Sequence, residues 1–250
     1  MKSRDECRWN YILSRSRSRV RVPLVFQIVL PALLRADVQS RVTFSGGTHN
    51  PSAPTFDYLD RVFLPLRARM GADIEIKLHK SGFYPVGCGR WSARVTPEPK
   101  LTPLILDDAG EVQSRCIIAD VANLALDIAE SEANTVAHML SWPPETMLCR
   151  TINADGHGNV LVVQIDYANV SEMFTSFGAR DMSAETVARN AVEDVRAYLV
   201  ASAPVGPHLA DQLLLPLALA GRGSYVTCAA TEHTTTNIAT IEKFCPSRST

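Results

Sequence analysis

Residues 207–237 read P-H-L-A-D-Q-L-L-L-P-L-A-L-A-G-R-G-S-Y-V-T-C-A-A-T-E-H-T-T-T-N, and their pattern predicts a helix, a tight turn and a strand in succession. Leu209, Leu213 and Leu217 recur at helical spacing, which indicates a helix with one buried face. Gly221 is placed to stop that helix, and a second glycine soon after it favours a turn. The alternation Y-V-T-C-A that follows is typical of a strand.

A single histidine, His233, follows this strand. The threonines at 234–236 are candidate N-caps for another helix, which Ile238 and Ile241 mark by their spacing. His233 is therefore predicted at a strand end beside a helix N-terminus, where free amides and the helix dipole favour an anion. A neutral imidazole there can attack phosphorus and hold the transferred group covalently. The residues alone fit a capped surface turn better, because strand ends, threonine caps and histidines are common.

Composition is that of a soluble globular chain of one large domain or two small ones. Hydrophobic residues make up 46% and charged residues 20% of 250, and the net charge is −1. An RNA partner would therefore need a local basic patch. The six cysteines form no C-x-x-C pair, which argues against a zinc site or a disulfide framework and fits a reducing, cytoplasmic compartment. No apolar run is long enough to span a membrane, and the sequence shows no sign of a stable protein partner.

Residues 1–23 form a basic tail whose segment 14–19 reads S-R-S-R-S-R. A disordered tail is the favoured interpretation, and an arginine-rich arm for nucleic acid is the alternative. A secretory signal would use the apolar run 24–34, but it lacks an A-x-A cleavage site. Out-of-frame translation or a misplaced start is a further interpretation.

From 41 to 95 the pattern predicts a strand, a helix and two more strands. The helix carries Phe56, Leu59, Phe63, Leu66 and Met70 on one face. Two glycine-rich loops, 46–54 and 82–89, interrupt this region, and such loops let backbone approach a ligand or simply turn the chain.

After a proline-containing linker, residues 107–200 predict a small separate α/β domain. A strand near 111–119 leads to a helix near 126–140, and the turn D-G-H-G-N at 155–159 predicts a hairpin. A strand near 173–177 and a helix capped by Ser183 follow. His157 in the glycine-rich turn has no partners at metal-ligand spacing, so no metal site is expected there.

Two pairs of sequence blocks resemble the RNA 3′-terminal phosphate cyclase family. They are H-L-A-D-Q-L-L-L-P-L-A-L-A-G at 208–221 with T-E-H-T-T-T-N-I-A-T-I-E at 231–242, and G-G-T-H-N-P-S-A-P at 46–54 with G-F-Y-P-V-G-C-G at 82–89. The resemblance covers roughly 24–246. It implies an α+β fold of repeated β-α-β-α-β-β units with helices packed on sheets. It also implies that the first repeat is missing and that a small α/β domain is inserted.

The domain boundaries follow from this resemblance. Residues 24–106 and 201–250 are expected to form the catalytic domain, residues 107–200 the inserted domain, and residues 1–23 a tail that matches nothing in the family. Cys88 stands where the family has a glycine, so a positive φ at that position would strain the turn.

The resemblance also implies roles for particular residues. His233 matches the nucleophile that ATP adenylates. The positions that resemble nucleotide-binding residues are Gln27, Asn50, Pro51, His208, Leu209, Asp211 and Gln212. Pro51 and His208 would form the two walls around adenine, and Mg²⁺ or Mn²⁺ would offset the triphosphate charge, with no protein ligand assigned to it.

The implied reaction converts an RNA 3′-phosphate end to a 2′,3′-cyclic phosphate through a histidine-AMP intermediate. Loss of the first repeat would remove groups that neutralise the triphosphate, so weak or no turnover is expected. The alternatives are a non-catalytic RNA-processing relative that acts as a binding module and an enolpyruvyl transferase. Members of the first group lack the histidine, and the second group lacks these sequence blocks although it shares the repeat-built fold.

Overall fold

The computed structural model describes residues 21–51 and 53–245. Most of the predicted basic tail therefore lies outside the described residues. Its end opens helix α1, Val22–Leu34, where Pro23 occupies the first turn and needs no amide partner. One side of α1 is buried through Phe26 and Leu30.

A three-stranded antiparallel sheet lies against α1. It consists of β1 (Ser40–Gly46), β2 (Ile74–Lys80) and β3 (Gly89–Val95), with β3 in the middle. Alternate side chains of β1 and β3 are buried, as the period of two predicts. The sequence prediction of these strands is confirmed, and β1 extends further in both directions than the apolar run suggested.

The helical segment 56–69 connects β1 to β2. It comprises α2 (Phe56–Tyr58), a π-helical turn (Leu59–Phe63) and α3 (Leu64–Arg69). The apolar spacing predicted this helix correctly, but it gave no sign of the π turn. Gly71 follows with a φ of 93°, which a residue with a side chain rarely adopts, and the helix ends there.

An aromatic cluster joins α1, the sheet and the helical segment. The rings of Phe44 and Trp91 stack with centroids 4.4 Å apart, while Phe26 and Phe56 meet Trp91 edge to face at 5.2 and 5.5 Å. All four side chains are buried. Such burial, with favourable ring geometry, fixes the frame that carries the first glycine-rich loop.

A second sheet has four strands in the order β6-β5-β7-β8. Their bounds are β5 Val112–Ala122, β6 Met147–Thr151, β7 Gly158–Tyr167 and β8 Ser171–Phe177. Helices α4 (Leu126–Leu140) and α5 (Ala184–Ala201) cover one face, and Ser183 caps α5 as predicted. We call this sheet with its two helices the four-stranded layer.

The hairpin predicted around 155–159 is wrong. Strands flank that turn, but β6 pairs in parallel with β5, and β7 pairs with β5 on its other side. The two strands therefore lie on opposite sides of β5. The antiparallel hairpin in this region is β7–β8, which turns at 168–170. Alternation identifies strands, but it does not tell which strands are neighbours.

The α+β class is confirmed, while the division into a catalytic and an inserted domain stays a prediction. The face of the four-stranded layer that its helices cover has its own apolar cluster. On the opposite face, Ile118, Val160 and Val162 join the same apolar cluster as α1 and the three-stranded sheet. The layer therefore packs directly on the rest of the protein.

The C-terminal part returns to the first sheet region. It comprises α6 (Pro207–Ala220), β9 (Ser224–Tyr225) and α7 (Glu232–Phe244). β9 pairs in parallel with β4, Ile105–Leu106. The Val226 amide donates to the Leu106 carbonyl at 3.0 Å, and the Val226 carbonyl accepts from the Val205 amide at 3.2 Å.

Two expectations for this part need correction. The strand predicted at 225–229 is limited to two residues, with one further bridge from Thr227 to Val205. Helix α7 starts earlier than predicted, because Thr231, and none of the threonines at 234–236, provides the cap. Within residues 21–51 and 53–245, no helix combines the length and apolar composition needed to cross a membrane.

Candidate functional site

Helix α6 connects the elements that carry the predicted site residues. The side chain of Gln27 on α1 donates to Gln212 Oε1 at 2.6 Å. The side-chain amide of Asn237 on α7 donates to Asp211, at 3.1 Å to Oδ1 and 3.2 Å to the carbonyl oxygen. Adjacent residues of α6 thus hold α1 and α7, and three of the predicted nucleotide positions take part in these two contacts.

His233 lies in the first turn of α7 rather than before it. Thr231 Oγ1 accepts from the Thr234 amide at 3.1 Å and so caps the helix. The His233 side chain is exposed. Asn237 follows it by four residues, which places both on the same face of α7, the face that meets Asp211. His233 is therefore open to solvent, close to helix amides, and on the side of α7 that faces α6.

The first glycine-rich loop is anchored to the start of α1. The Val22 amide donates to the Gly47 carbonyl at 3.2 Å. Asn50 is 5% exposed, and its Oδ1 has no hydrogen-bond partner among the residues that the structure describes. An unpaired buried acceptor is costly, so a donor from a ligand would stabilise it. Pro51, next to it, is exposed.

A buried histidine that the sequence prediction left without a role organises this loop. His49 Nδ1 lies 2.8 Å from Thr48 Oγ1, and His49 Nε2 lies 2.9 Å from Asp57 Oδ2. Thr48 Oγ1 also accepts from the Gly82 amide at 2.9 Å. Burial acts to raise the pKa of Asp57, but the hydrogen bond and charge of His49 bring it below its ordinary value. The loop is thus fixed to the helical segment 56–69 and to the second loop.

The second glycine-rich loop packs on the turn at 155–159. The Phe83 ring stacks on the His49 ring with centroids 5.1 Å apart, and a Cβ added to Gly158 would lie 2.2 Å from that Phe83 ring. Lys80 forms an ion pair with Asp155 beside this contact. The glycine in the turn is needed for close packing, which the sequence pattern could not show.

Cys88 in the second loop has a φ of 55°. The condition for strain given by the sequence is therefore met, because a residue other than glycine has a positive φ there. Gly87 before it also has a positive φ, 68°. The cysteine therefore strains the turn through contact of its Cβ with the backbone.

The start of α6 holds two more predicted positions, with different exposures. His208 is exposed, whereas Leu209 is fully buried, so only the backbone of Leu209 is available to a ligand. The Gly206 amide, at the cap position of α6, donates to Glu172 Oε1 at 2.6 Å. Burial raises the pKa of Glu172 to about 8, against the lowering effect of that amide. No sequence signal marked Glu172, because a lone glutamate in a strand is usually exposed.

Comparison with known proteins identifies the family. The family model described as RNA 3′-terminal phosphate cyclase matches residues 9–250 of this chain. The chain belongs to the RNA 3′-terminal phosphate cyclase family. This confirms the resemblance inferred from the sequence blocks and sets aside the enolpyruvyl transferases.

Individual relatives of the cyclase family agree with the model match. Proteins named RNA 3′-terminal phosphate cyclase from Ectopseudomonas mendocina and Koribacter versatilis are 46% and 42% identical to the chain over 88% and 89% of its length. One from Pseudomonas fluorescens is 43% identical over 90%. The aligned parts cover 65%, 63% and 66% of these proteins. The chain thus spans just under two thirds of the length of the curated relatives it matches.

The cyclase match covers all eight predicted site residues, and their roles stay predictions. The structure joins Gln27 to Gln212 by a hydrogen bond, and Asn237 joins Asp211 to the face of α7 on which His233 lies. The contact of their loop with the start of α1 connects Asn50 and Pro51 to the same region. Among the described residues, no group of three or more His, Cys, Asp or Glu side chains is arranged to hold a metal ion.

Proposed function

We propose that the chain acts on RNA 3′-phosphate ends, with ATP as second substrate and His233 as the nucleophile, to form a 2′,3′-cyclic phosphate. The observation that carries this proposal is the exposed imidazole in the first turn of α7, on the face that Asn237 joins to Asp211. The relatives named RNA 3′-terminal phosphate cyclase support the substrate class. The non-catalytic alternative is disfavoured because this chain has the histidine.

In the first step the unprotonated imidazole nitrogen of His233 attacks the α-phosphorus of ATP. A phosphorus–nitrogen bond forms while the bond to pyrophosphate breaks, so the leaving group carries away the electron pair. The amides of the first turn of α7 and the positive end of its dipole favour the charge on the phosphate. The cap at Thr231 keeps that turn helical and therefore keeps these donors aligned.

In the second step an oxygen of the RNA 3′-phosphate displaces His233 from the AMP phosphorus. The neighbouring 2′-hydroxyl then attacks the activated 3′-phosphate, loses its proton and expels AMP, which closes the cyclic phosphate. His233 is free again after the second step. Transfer of AMP gives the 3′-phosphate a good leaving group, whereas direct attack by the 2′-hydroxyl would have to expel hydroxide.

The described residues fit the nucleoside part of ATP. Asn50 Oδ1 is a buried acceptor without a partner, which suits a base amine or a ribose hydroxyl. Pro51 and His208 are exposed apolar and planar groups suited to the faces of a base. Gln212 and Asp211 are half-buried, and their neighbours hold them in position. A divalent ion has no comparable cluster among the described side chains, so no residue is assigned to one.

The test is to incubate the purified chain with ATP labelled on the α-phosphate in the presence of manganese. We expect covalent label on the chain and its loss in His233→Ala. His138→Ala removes an exposed histidine from α4 and should leave the label unchanged. Failure of the chain to take up label, or uptake that survives His233→Ala, would contradict the proposal.

Asn237→Ala tests whether the link from α7 to α6 matters for this chemistry. Loss of its two hydrogen bonds to Asp211 frees the helix face that carries His233, and misplacement of a reacting group by about 1 Å can cost a hundredfold in rate. We expect slower labelling with an unchanged endpoint. Glu242→Ala, an exposed change on the same helix, is the control.

A further inference from the structure

A cleft away from His233 lies between the helical segment 56–69 and the turn that joins β7 to β8. Its volume is about 340 Å³. Arg61, Pro65 and Arg69 lie along one stripe of the helix at four-residue spacing, and Tyr167 and Asn169 belong to the opposite wall. We call it the arginine cleft.

The walls of the arginine cleft are held by many hydrogen bonds. In the turn, the amides of Ala168 and Asn169 donate to the carbonyls of Glu111 and Ala109, both at 2.9 Å. The Tyr167 amide donates to the Val170 carbonyl, also at 2.9 Å. On the other wall, Arg61 lies within the π-helical turn, a feature that often marks functional sites. The cleft is thus largely preformed.

The charges in the arginine cleft are distributed unevenly. Arg61 lies near the carboxylates of Asp57, Asp60 and Asp166, and its Nη1 donates to Gln164 Oε1 at 3.4 Å. Its charge is therefore largely balanced. Arg69 is exposed and donates to the Asn169 carbonyl, and the structure records no ion pair for it within residues 21–51 and 53–245. The end of the cleft near Arg69 thus has an unbalanced positive charge.

This arrangement suits one nucleotide unit of a single strand. A phosphodiester would bind the Arg69 guanidinium, which offers paired donors to phosphate oxygens. The base would lie against Tyr167 and the apolar floor that Val62 and Leu66 provide. Aromatic and apolar surface beside arginine is the usual composition of surfaces that bind single strands.

The arginine cleft also has a defined relation to the loop with Asn50. Asp57, at the start of the same helical segment, holds His49 of that loop at 2.9 Å. From Asp57 to Arg69 the helix rises by about 18 Å, at 1.5 Å per residue. A strand whose 3′ end lies beside a nucleotide held at the loop can therefore follow the helix surface to the arginine cleft.

We propose that the arginine cleft binds the RNA strand upstream of its 3′ end, with a phosphodiester on Arg69 and a base on Tyr167. The inference rests on the proposed function for its ligand class. It goes beyond that function because it adds a second RNA contact, at a position upstream of the reacting 3′ end. The chain would therefore bind longer RNA more tightly than short RNA.

The experiment measures binding of fluorescent RNA oligonucleotides with 3′-phosphate ends by anisotropy at low salt. A dinucleotide reaches only the reacting end, whereas a decanucleotide reaches both sites. We expect Arg69→Ala to weaken decanucleotide binding about tenfold and to leave the dinucleotide nearly unchanged. The slope of log affinity against log salt for the decanucleotide should fall by about 0.7, the value for one phosphate contact on a single strand.

The controls separate charge, site and folding. Arg69→Lys keeps the charge and should retain most of the affinity, while Arg189→Ala removes an exposed arginine from α5, on the far face of the four-stranded layer, and should change nothing. Thermal melting of each variant verifies that it folds. Equal weakening of both oligonucleotides by Arg69→Ala, or no weakening of either, would overturn the inference.

Labelling of His233 in the unaltered chain keeps the two proposals distinct. It requires no RNA, so it reports on the nucleophile alone. If His233 is labelled but Arg69→Ala leaves decanucleotide binding unchanged, the inference is wrong and the proposed function remains. Length-dependent binding through Arg69, without any label on His233, would remove the proposed function and leave the inference.

Discussion

The four-stranded layer and helix α7 are held in place by different kinds of contact. In the layer, Leu161, Val163 and Val136 are fully buried between the sheet and its two helices. In α7, Thr234 is the one buried side chain, and Phe244 is 82% exposed. The position of α7 depends on the N-cap at Thr231 and on the hydrogen bonds from Asn237 to Asp211. The comparison teaches that apolar burial fixes the layer, while the candidate nucleophile depends on a few polar groups.

The largest expected effect tests this contrast directly. Leu161→Ala should lower the free energy of unfolding by about 2–5 kcal/mol, because it removes buried carbons and leaves a cavity. Ile241→Ala, the matched change in half-buried surroundings on α7, should cost less than about 1.5 kcal/mol. Urea unfolding of both variants provides the measurement. Similar losses of unfolding free energy in the two variants would show that apolar burial stabilises α7 as much as the four-stranded layer.

A second prediction concerns Glu172, which joins β8 of the layer to the start of α6. Its carboxyl has an ordinary pKa in the unfolded chain and a pKa of about 8 in the folded one. Between about pH 4.5 and 8 the folded state thus binds the extra proton, and this group makes stability fall as the pH rises, by up to about 1.4 kcal/mol per pH unit. Above both pKa values of Glu172, this contribution to the stability is lost in full.

Glu172→Gln removes the titration while keeping an oxygen that can accept from the Gly206 amide. Unfolding measured from pH 5 to pH 8 should show a flatter dependence for this variant than for the unaltered chain, with the larger difference at high pH. Glu132, whose pKa burial raises to about 7, contributes in the same direction and remains in both proteins. Glu185→Gln, an exposed change, serves as control. Curves that stay parallel would show that Glu172 does not titrate in this range.

The smallest expected effect concerns the loop at 82–89. Cys88→Gly relieves the left-handed backbone strain and adds the chain entropy of glycine, so a net gain of about 0.5–1 kcal/mol is expected. Gly87→Ala, at a φ of 68°, should change stability in the opposite direction. Thermal melting would show shifts of a few degrees. A loss of stability in Cys88→Gly would mean that contacts of the thiol outweigh the strain.

The elements predicted best from the sequence are those whose burial follows a period. Helices α4 and α6 have the predicted extents, and Ser183 caps α5 as the sequence indicated. Strand neighbours were predicted less well. The D-G-H-G-N turn was interpreted as a hairpin, because local pattern says nothing about β5 lying between the flanking strands.

The candidate site was predictable only where sequence blocks resemble the family. Those blocks indicated His233 and the Asp211-Gln212 pair, but not the partners that hold them. Asn237 and Glu172 act through contacts between residues far apart in the chain, which no spacing reveals. The cap at Thr231 was missed because three other threonines nearby are equally good cap residues.

The hydrogen bonds of Val226 bring two distant positions of the chain close together. Leu106, where the chain leaves the first sheet region, and Val205, where it returns, flank this one residue. With strands about 4.8 Å apart, the two ends lie within about 10 Å of each other. A short peptide could therefore span the distance between Leu106 and Val205, although residues 107–204 of the chain lie between them.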